Sequence, residues 1–280
     1  MNATQRPHEI NGDERLTPVD RLRYLAINAW RNLSGTFPRL PARHWVPDAA
    51  TLAAHTSFAG SPGRVQMDMF IASELPKIIP PGEIRVLDLG CGAGHLRFAL
   101  AASGYSGTYT GVDISDHRFR SEDNEAFPNP TLLLGDAATI DLGGPYDLVI
   151  SMSALEHIPD DRTALANAYA ALTETGHQIH LVPNGAGLAL YLWHGSRQYN
   201  ARQLAERFPS PRRQVWQLGG LFSFILHVLV VTAFEQILRV NLRKMAPNLY
   251  ARLNRGATRL DVFCPLGAAT TVVMTPKLDD

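Results

Sequence analysis

The chain has 280 residues, of which 45% are hydrophobic and 19% are charged, so it can bury a substantial core and is not intrinsically disordered. The 26 basic and 26 acidic residues cancel, which argues against a nucleic-acid partner that needs a broad basic surface. The two cysteines form neither a disulfide framework nor a zinc motif and the polar N-terminus lacks a secretory signal, so we expect a cytoplasmic protein.

The first 82 residues are predicted to form helices that cover a pocket in the rest of the chain. A helix is expected over residues 17–34, where Thr17 can cap the N-terminus and apolar residues recur at helical spacing. The segment "GRVQMDMFIASELPKII" predicts a further helix, which two consecutive prolines end. We therefore assign residues 1–82 to an N-terminal helical segment and residues 83–280 to the main domain.

Short aliphatic strands alternate with helical stretches from Glu83 onward. The candidate strands are "IRVLDLG", "TYTGVDIS", "TLLLGD", "YDLVISM" and "QIHLVPN", with "RQVWQLGG" a possible strand and "AATTVVMTPK" a last one. Continuous apolar strands separated by helices predict a parallel sheet that is covered on both faces. The sequence therefore predicts a doubly wound α/β domain.

The stretch "VLDLGCGAGH", residues 86–95, predicts a ligand-binding loop at the end of the first of these strands. Gly90, Gly92 and Gly94 let the backbone turn tightly and approach a ligand. A dinucleotide fingerprint needs its third glycine three residues after the second, but position 95 is histidine. Asp88 would also repel a pyrophosphate, whereas it tolerates ammonium and sulfonium groups. Charge complementarity therefore favours S-adenosylmethionine over a nicotinamide or flavin dinucleotide.

The same stretch resembles the first motif of the class I S-adenosylmethionine-dependent methyltransferases, and three later motifs follow in the family's order. They are "TGVDIS", "LLLGDAATI" and "YDLVISMSALEHIPDD", whose "LEH" is similar to the small-molecule and glycan branch and to ubiquinone-pathway O-methyltransferases. The resemblance covers roughly residues 83–185. It implies a seven-stranded Rossmann-like sheet, mostly parallel with an antiparallel last strand.

The resemblance also implies which residues hold the cofactor S-adenosylmethionine. Asp113 would bind both ribose hydroxyls, and Asp136 would lie near the adenine amino group. Both acids have a plainer alternative as caps of turns or helices. The full predicted set is Asp88, Gly90, Cys91, Gly92, Gly94, Asp113, Ile114, Asp136, Ala137 and Ser151.

Methyl transfer requires the acceptor and the methyl group to be held in line, and a hydroxyl acceptor also benefits from a general base. His157 is the candidate base, with a structural role in the turn as the alternative. Glu156, His194, Arg197 and Tyr199 are candidate acceptor contacts, or else solvated loop residues. Only one acid and one histidine are evident after the fourth strand, so we predict no metal ion.

An apolar insertion lies within residues 186–267. Between Arg213 and Glu235 there are 21 residues without a formal charge, and a basic segment follows. We predict a substrate lid, with peripheral contact of residues 218–245 to the inner membrane face as the alternative.

The leading functional prediction is bacterial biosynthetic O-methylation of a small molecule, a glycan or a natural product. A membrane-associated methyltransferase acting on a lipid-linked or prenylated acceptor is the first alternative. An NAD(P)-binding oxidoreductase and a non-catalytic cofactor-binding protein are the others.

Overall fold

The computed structural model describes residues 10–35, 40–116 and 124–277. In this part of the chain eight strands form a single mixed sheet. The strands are β1 (Arg43–Trp45), β2 (Glu83–Leu89), β3 (Ser106–Asp113), β4 (Thr131–Leu134), β5 (Tyr146–Met152), β6 (Leu172–Pro183), β7 (Gln214–Leu218) and β8 (Thr270–Pro276). The last strand, β8, is antiparallel to both of its neighbours, β6 and β7, as predicted.

The strand order is β1-β7-β8-β6-β5-β2-β3-β4. The chain adds β3 and β4 on one side of β2 and then β5 and β6 on the other, so the order reverses at β2. In a doubly wound sheet, ligands bind beyond the carboxyl ends of the strands at such a reversal. The carboxyl ends of β2, β3, β4 and β5 therefore define the edge at which a ligand site is expected.

The predicted count of seven strands is wrong by one. The additional strand, β1, has three residues and pairs in parallel with β7 at the edge of the sheet. Three residues are too few to show the alternation by which a strand is recognised in a sequence. The N-terminal segment thus contributes a strand as well as helices.

Helices pack on both faces of the sheet. They are α1 (Pro18–Ser34), α2 (Ala49–Ala54), α3 (Pro62–Ile78), α4 (Leu96–Ala102), α5 (Asp161–Ala170), α6 (Gly187–Tyr191), α7 (Ala201–Arg207), α8 (Leu221–Leu226), α9 (Leu242–Met245) and α10 (Pro247–Leu260). A π-helix, His227–Ile237, continues directly from α8.

Successive residues of β2 belong to different core clusters. Val86 packs in a cluster with Phe70 of α3, whereas Leu87 packs with Ala164 of α5. Since successive side chains of a strand point to opposite faces, both faces of this strand are buried. This burial explains why the central strands read as continuous aliphatic runs in the sequence.

The N-terminal helix agrees with its prediction. The Thr17 hydroxyl caps α1 by accepting a hydrogen bond from the Asp20 amide at 3.2 Å. Residues 1–9 and 36–39 of the predicted N-terminal segment lie outside the described residues, and the division of the chain at residue 83 stays a prediction. Among the described helices, none is both long and apolar enough to cross a membrane.

Candidate functional site

A glycine loop connects β2 to α4. Gly90 has a φ of +70° and Gly92 a φ of +52°, a left-handed region that residues with a Cβ rarely adopt. A Cβ on Gly90 would collide with the side chain of Ala154, whereas nothing lies within 4 Å of the corresponding position on Gly92. The loop is therefore packed against the protein at Gly90 and faces open space at Gly92.

The backbone amides of this loop donate to protein acceptors. The N–H groups of Gly90 and Cys91 both donate to the Val112 carbonyl, at 2.8 and 3.0 Å, and that of Gly94 donates to the Cys91 carbonyl at 2.9 Å. A phosphate-binding loop instead points several N–H groups at its ligand. The hydrogen bonding therefore supports the argument against a pyrophosphate ligand that the glycine spacing raised.

Asp113 ends β3 directly beside the glycine loop. Its carboxylate accepts a hydrogen bond from the Gly92 amide at 2.9 Å and another from the Ser115 amide at 3.0 Å. The next residue, Ile114, is 75% exposed. An acid and an apolar side chain thus stand at the open edge of the loop, an arrangement that suits a ribose and a purine ring.

Asp136 lies at the same edge of the sheet, after β4. Its Oδ1 accepts a hydrogen bond from the Ala138 amide at 2.9 Å, so the carboxylate also shapes its own turn, as the plainer alternative expected. Ala137 is buried in a core cluster, and its carbonyl accepts a hydrogen bond from the Asn167 side chain at 3.3 Å. The methyl group of Ala137 is therefore core, and its predicted contact with the cofactor would have to come from the backbone.

Asp88 is buried beneath the loop, where only 4% of the residue is exposed. Its carboxylate accepts a hydrogen bond from the hydroxyl of Tyr109 on β3. Burial raises the pKa of Asp88 to about 7, although the Tyr109 hydrogen bond and the charge of Arg64 oppose that rise. Asp88 can therefore act on a ligand of the loop through its charge, and its ionisation falls in the neutral range.

Cys91 and Ser151, two further predicted cofactor contacts, are also buried. Cys91 is 8% exposed, and burial keeps the pKa of its thiol far above the usual range, so the sulfur is a protonated packing group. Ser151 is fully buried and shares a hydrogen bond with His180 Nδ1 at 2.8 Å. Ser151 and His180 are register partners on β5 and β6, so their side chains lie on the same face of the sheet. The Ser151 side chain therefore faces the core in this conformation, and its contact with the cofactor stays a prediction.

The turn after β5 packs directly on the glycine loop. Ala154 fills the space that a Cβ of Gly90 would need, and Leu155–His157 then form a single 3₁₀ turn. Glu156 is 1% exposed, and within the described part of the chain its Oε2 has no hydrogen-bond partner. The side chain of His157 is 33% exposed. The candidate base therefore lies next to the candidate donor loop.

Asp13 is the residue of this site that sequence reasoning missed. Its Oδ2 lies 2.6 Å from His157 Nδ1, and its Oδ1 accepts a hydrogen bond from the Gly195 amide at 3.2 Å. A backbone hydrogen bond from Gly12 to the Gly195 carbonyl, at 2.7 Å, holds this segment in place. No spacing or periodicity could reveal Asp13, because it is 144 positions away from His157 in the sequence.

His157 and Asp13 shift each other's ionisation. Burial lowers the pKa of His157, but the hydrogen bond to Asp13 and the charge of Glu156 together raise it above its usual value. Burial acts to raise the pKa of Asp13, but hydrogen bonds from His157 and His194 hold it far below the usual range. Asp13 is thus ionised at every physiological pH, and His157 is a stronger base than a free imidazole.

His194 completes a cluster around Asp13. Its Nδ1 lies 3.4 Å from Asp13 Oδ1, and its ring meets that of His157 edge to face at 4.5 Å between centroids. Glu156, His157 and His194 each offer one potential metal-ligand atom, and these atoms lie within 4.8 Å of one another. The group could hold a divalent cation, and the absence of a metal stays a prediction.

Two predicted acceptor contacts are structural. Arg197 is 2% exposed and donates to the carbonyls of Ile158 and Pro159, at 3.0 and 2.8 Å, while pairing with Asp161 at 3.2 Å. Tyr199 is 1% exposed, and its hydroxyl lies 2.8 Å from Asp161 Oδ2. Neither side chain reaches open space in this conformation, and their contact with an acceptor stays a prediction. Together they anchor the segment that follows the "LEH" turn.

The comparisons with known proteins agree with this geometry. The sequence model of a family described as "Methyltransferase domain" matches residues 64–222, more than half of the chain. The ubiquinone biosynthesis O-methyltransferase of Bordetella avium is 32% identical over 146 residues, which cover 50% of this chain and 55% of that protein. The corresponding protein of Aromatoleum aromaticum is 31% identical over 117 residues, which cover 39% of this chain and 47% of that protein. The chain thus spans about half the length of the curated relatives it matches.

Solved structures share the fold. A Galdieria sulphuraria protein assigned as a sarcosine dimethylglycine methyltransferase aligns with a TM-score of 0.52 at 19% identity, over 77% of this chain and 86% of that chain. A SAM-dependent methyltransferase from Archaeoglobus fulgidus aligns with a TM-score of 0.50 at 15% identity, over 79% of this chain and 96% of that chain. At such identities the likeness concerns the fold alone.

Proposed function

Because this chain belongs to the methyltransferase domain family, we propose that it is an S-adenosylmethionine-dependent methyltransferase that methylates a hydroxyl oxygen of a small molecule, with His157 as the general base. The observation that carries this proposal is the 2.6 Å contact between Asp13 Oδ2 and His157 Nδ1, beside the glycine loop. The names of the curated relatives, which are O-methyltransferases, support oxygen as the accepting atom.

The donor side of the site fits a cationic cofactor. When bound, S-adenosylmethionine supplies a methyl group that its sulfonium has already activated for displacement. The open space at Gly92 leaves room for a ligand against the loop, and Asp113 stands beside it with oxygen atoms suited to a ribose diol. Asp88 adds negative charge beneath the loop, which attracts a sulfonium and an ammonium group.

On the acceptor side, Asp13 selects the tautomer of His157. An ionised carboxylate can only accept hydrogen bonds, so the shared proton resides on Nδ1 and Nε2 of the neutral ring is left as the basic nitrogen. Nε2 would take the proton of the acceptor hydroxyl as that oxygen attacks the methyl carbon. Asp13 would then stabilise the imidazolium ion. Asp13 is thus a positioning residue, and His157 is the residue that touches the acceptor.

The names of the curated relatives and the chemistry of the site support a hydroxyl-bearing small molecule as the acceptor. His194 borders His157, and its partly exposed side chain would contact the acceptor. Glu156 is buried in this conformation and would act on the acceptor through its charge beside His157. Glycans, natural products and prenylated rings share the required hydroxyl group, so a panel of phenols, catechols and sugars distinguishes them. The cytoplasmic location and the peripheral membrane contact through residues 218–245 also stay proposals.

Two variants and a control test the roles of His157 and Asp13. His157→Gln should lower kcat by about a hundredfold or more with the donor KM unchanged, because the proton then has no positioned acceptor. Asp13→Asn should lower kcat by about tenfold, whereas Glu14→Gln, at the exposed neighbouring position, should leave it unchanged. All three should keep the thermal shift that S-adenosylhomocysteine produces.

The opposite pattern would overturn the proposal. If His157→Gln lowers the melting temperature while the remaining folded protein turns over normally, His157 is a turn residue only. Stabilisation by NADPH without stabilisation by S-adenosylhomocysteine would favour an oxidoreductase. Activity that EDTA abolishes and a divalent cation restores would assign Glu156, His157 and His194 to a metal ion instead.

A further inference from the structure

The last long helix of the described chain, α10, buries polar side chains and exposes apolar ones. In α10 the residues at four-residue spacing that face the protein are Tyr250, Asn254 and Thr258. Leucines are exposed instead, with Leu249 at 58% and Leu253 at 49%. A surface helix of a soluble protein ordinarily buries its apolar stripe and exposes its polar one.

Hydrogen bonds fix α10 in this orientation. The Tyr250 hydroxyl donates to the Gly60 carbonyl at 2.9 Å, and the Asn254 amide donates to the Phe58 carbonyl at 3.0 Å. Rotation of the leucines toward the protein would break these bonds and leave buried polar groups without partners. The exposure of the leucines is therefore fixed by the hydrogen bonds of the opposite face of the helix.

The preceding helical segment has the same reversal. The π-helix buries His227 and Thr232 together with Val231, and the Thr232 hydroxyl donates to the Leu190 carbonyl at 2.5 Å. Leu229 and Ile237 of the same segment are 54% and 59% exposed. The π-helix packs against α9, which in turn packs against α10. The exposed apolar side chains thus lie on connected elements.

We call this region the C-terminal surface and define its apolar part by six side chains that are at least 49% exposed. They are Leu229, Ile237, Leu238, Met245, Leu249 and Leu253. So many exposed large apolar side chains on neighbouring helices are unusual for a soluble monomer and indicate a covered surface.

The charge of the surface indicates what covers it. Residues 229–260 contain one acidic residue, Glu235, which pairs with Arg243. They also contain six basic residues, although the whole chain has no net charge. Arg239, Lys244, Arg252 and Arg259 among these are exposed. A second copy of this surface would bring like charges together, whereas anionic lipid headgroups would neutralise them.

We propose that the C-terminal surface docks the protein peripherally on an anionic lipid bilayer. The exposed leucines enter the boundary between headgroups and acyl chains, and the arginines and the lysine contact the phosphates. α10 has 14 residues and would lie along the interface. The surface is linked to the site, because the ring of Tyr191 contacts both His227 and His194, at 4.9 and 5.3 Å between centroids.

Vesicle flotation of the full chain tests this inference without any methyl transfer, so its failure is separate from a failure of the proposed function. The protein should float with phosphatidylcholine vesicles that contain phosphatidylglycerol, and not with phosphatidylcholine alone. High salt should weaken the binding, because it screens the headgroup charges. The double variant Leu249→Ser/Leu253→Ser should remain at the bottom of the gradient.

A charge variant with a matched control isolates the electrostatic part. Arg252→Gln/Arg259→Gln should reduce partitioning by about tenfold, since each basic residue near the surface contributes several-fold. Arg162→Gln/Arg202→Gln removes the same charge from exposed positions on α5 and α7, and should float like the wild type. Every variant must keep the wild-type thermal shift with S-adenosylhomocysteine.

Three results would overturn the inference. The first is that the wild type fails to float with the anionic vesicles. The second is that the leucine double variant floats as well as the wild type. The third is that the wild type does not bind vesicles but forms a dimer in sedimentation velocity, and that the leucine double variant is a monomer. That result would make the surface an interface between two copies.

Discussion

The carboxyl group of Asp88 lies beneath the glycine loop, in surroundings that oppose its ionisation. Because burial raises its pKa to about 7, a proton is bound in the folded protein over a range in which the unfolded chain, with a pKa near 3.8, has lost it. The contribution of this group to stability therefore decreases as the pH rises from about 4 to about 7. A cationic donor reverses the balance, because it favours the ionised form.

Donor binding should therefore depend on pH through Asp88. The carboxyl is mostly protonated at about pH 6 and mostly ionised at about pH 8, so the affinity for S-adenosylmethionine should fall by up to about tenfold at the lower pH. Asp88→Asn should remove that loss, since an amide does not titrate. Titration calorimetry of both proteins at each pH makes the comparison, and the ionisation of the ligand itself cancels between them. An equal pH dependence in the variant would remove Asp88 from the donor site.

The residues that sequence reasoning located are those whose position along a strand determines their place in the fold. Gly90, Asp113 and Asp136 each lie at or just after the end of a recognisable strand, so the parallel sheet brings them to one edge. Asp13 has no such marker, since only the folded backbone pairs its segment with Gly195. The burial of Ser151 beside His180 could not be predicted either, because a strand position does not reveal what packs against a polar side chain.

At the level of elements, alanine substitutions at two positions of the glycine loop should affect stability and donor binding differently. Gly92→Ala should cost about 1 kcal/mol of stability through its left-handed backbone, but its methyl group would occupy the open space and weaken donor binding. Gly90→Ala should cost about 3 kcal/mol, because its methyl group collides with Ala154. Melting temperatures with and without S-adenosylhomocysteine measure both effects. Normal ligand binding by Gly92→Ala would show that the donor does not fill this space.

The segment after the "LEH" turn supplies a second test at the level of elements. Arg197→Met removes one partner of the buried Asp161 and should lower the free energy of unfolding by about 3 kcal/mol, without changing the KM for the acceptor. The control Arg202→Met lies on the exposed side of α7 and should unfold like the wild type. Denaturant titration and steady-state kinetics are the two measurements. A raised acceptor KM at wild-type stability would return Arg197 to the acceptor site.

Long helices and strands with a regular apolar pattern could be predicted from the sequence, and short ones could not. The aliphatic runs of β2 and β5 predicted a doubly wound sheet, whereas the three residues of β1 carry too little pattern to be recognised. In the C-terminal insertion, the composition predicted a substrate lid, with a peripheral membrane contact as the alternative. It could not show that Asn254 and Thr258 would face the protein while Leu253 faces outward, because that choice depends on hydrogen bonds to distant carbonyls.

For the whole molecule, the class I methyltransferase resemblance is confirmed by the family match and by the fold. The sheet brings the glycine loop and the "LEH" turn into contact, and the N-terminal segment closes on them through Asp13. This assembly brings residue 13 together with residues of the stretch 90–195 in one candidate site. The position of the proposed donor residues follows from the order of the strands. The position of the proposed acceptor residues depends on loops whose packing the sequence does not specify.

This assembly is proposed to transfer a methyl group with the help of His157. The most direct test incubates the full chain, or its His157→Gln variant, with S-adenosylmethionine tritiated in the methyl group and small-molecule extracts of the producing cell. We predict that tritium enters a hydroxyl-bearing product as a methyl ether with the wild type, and at a rate about a hundredfold lower with the variant. No labelled product with the wild type would rule out the proposed methyl transfer, and equal labelling by both proteins would rule out His157 as the general base.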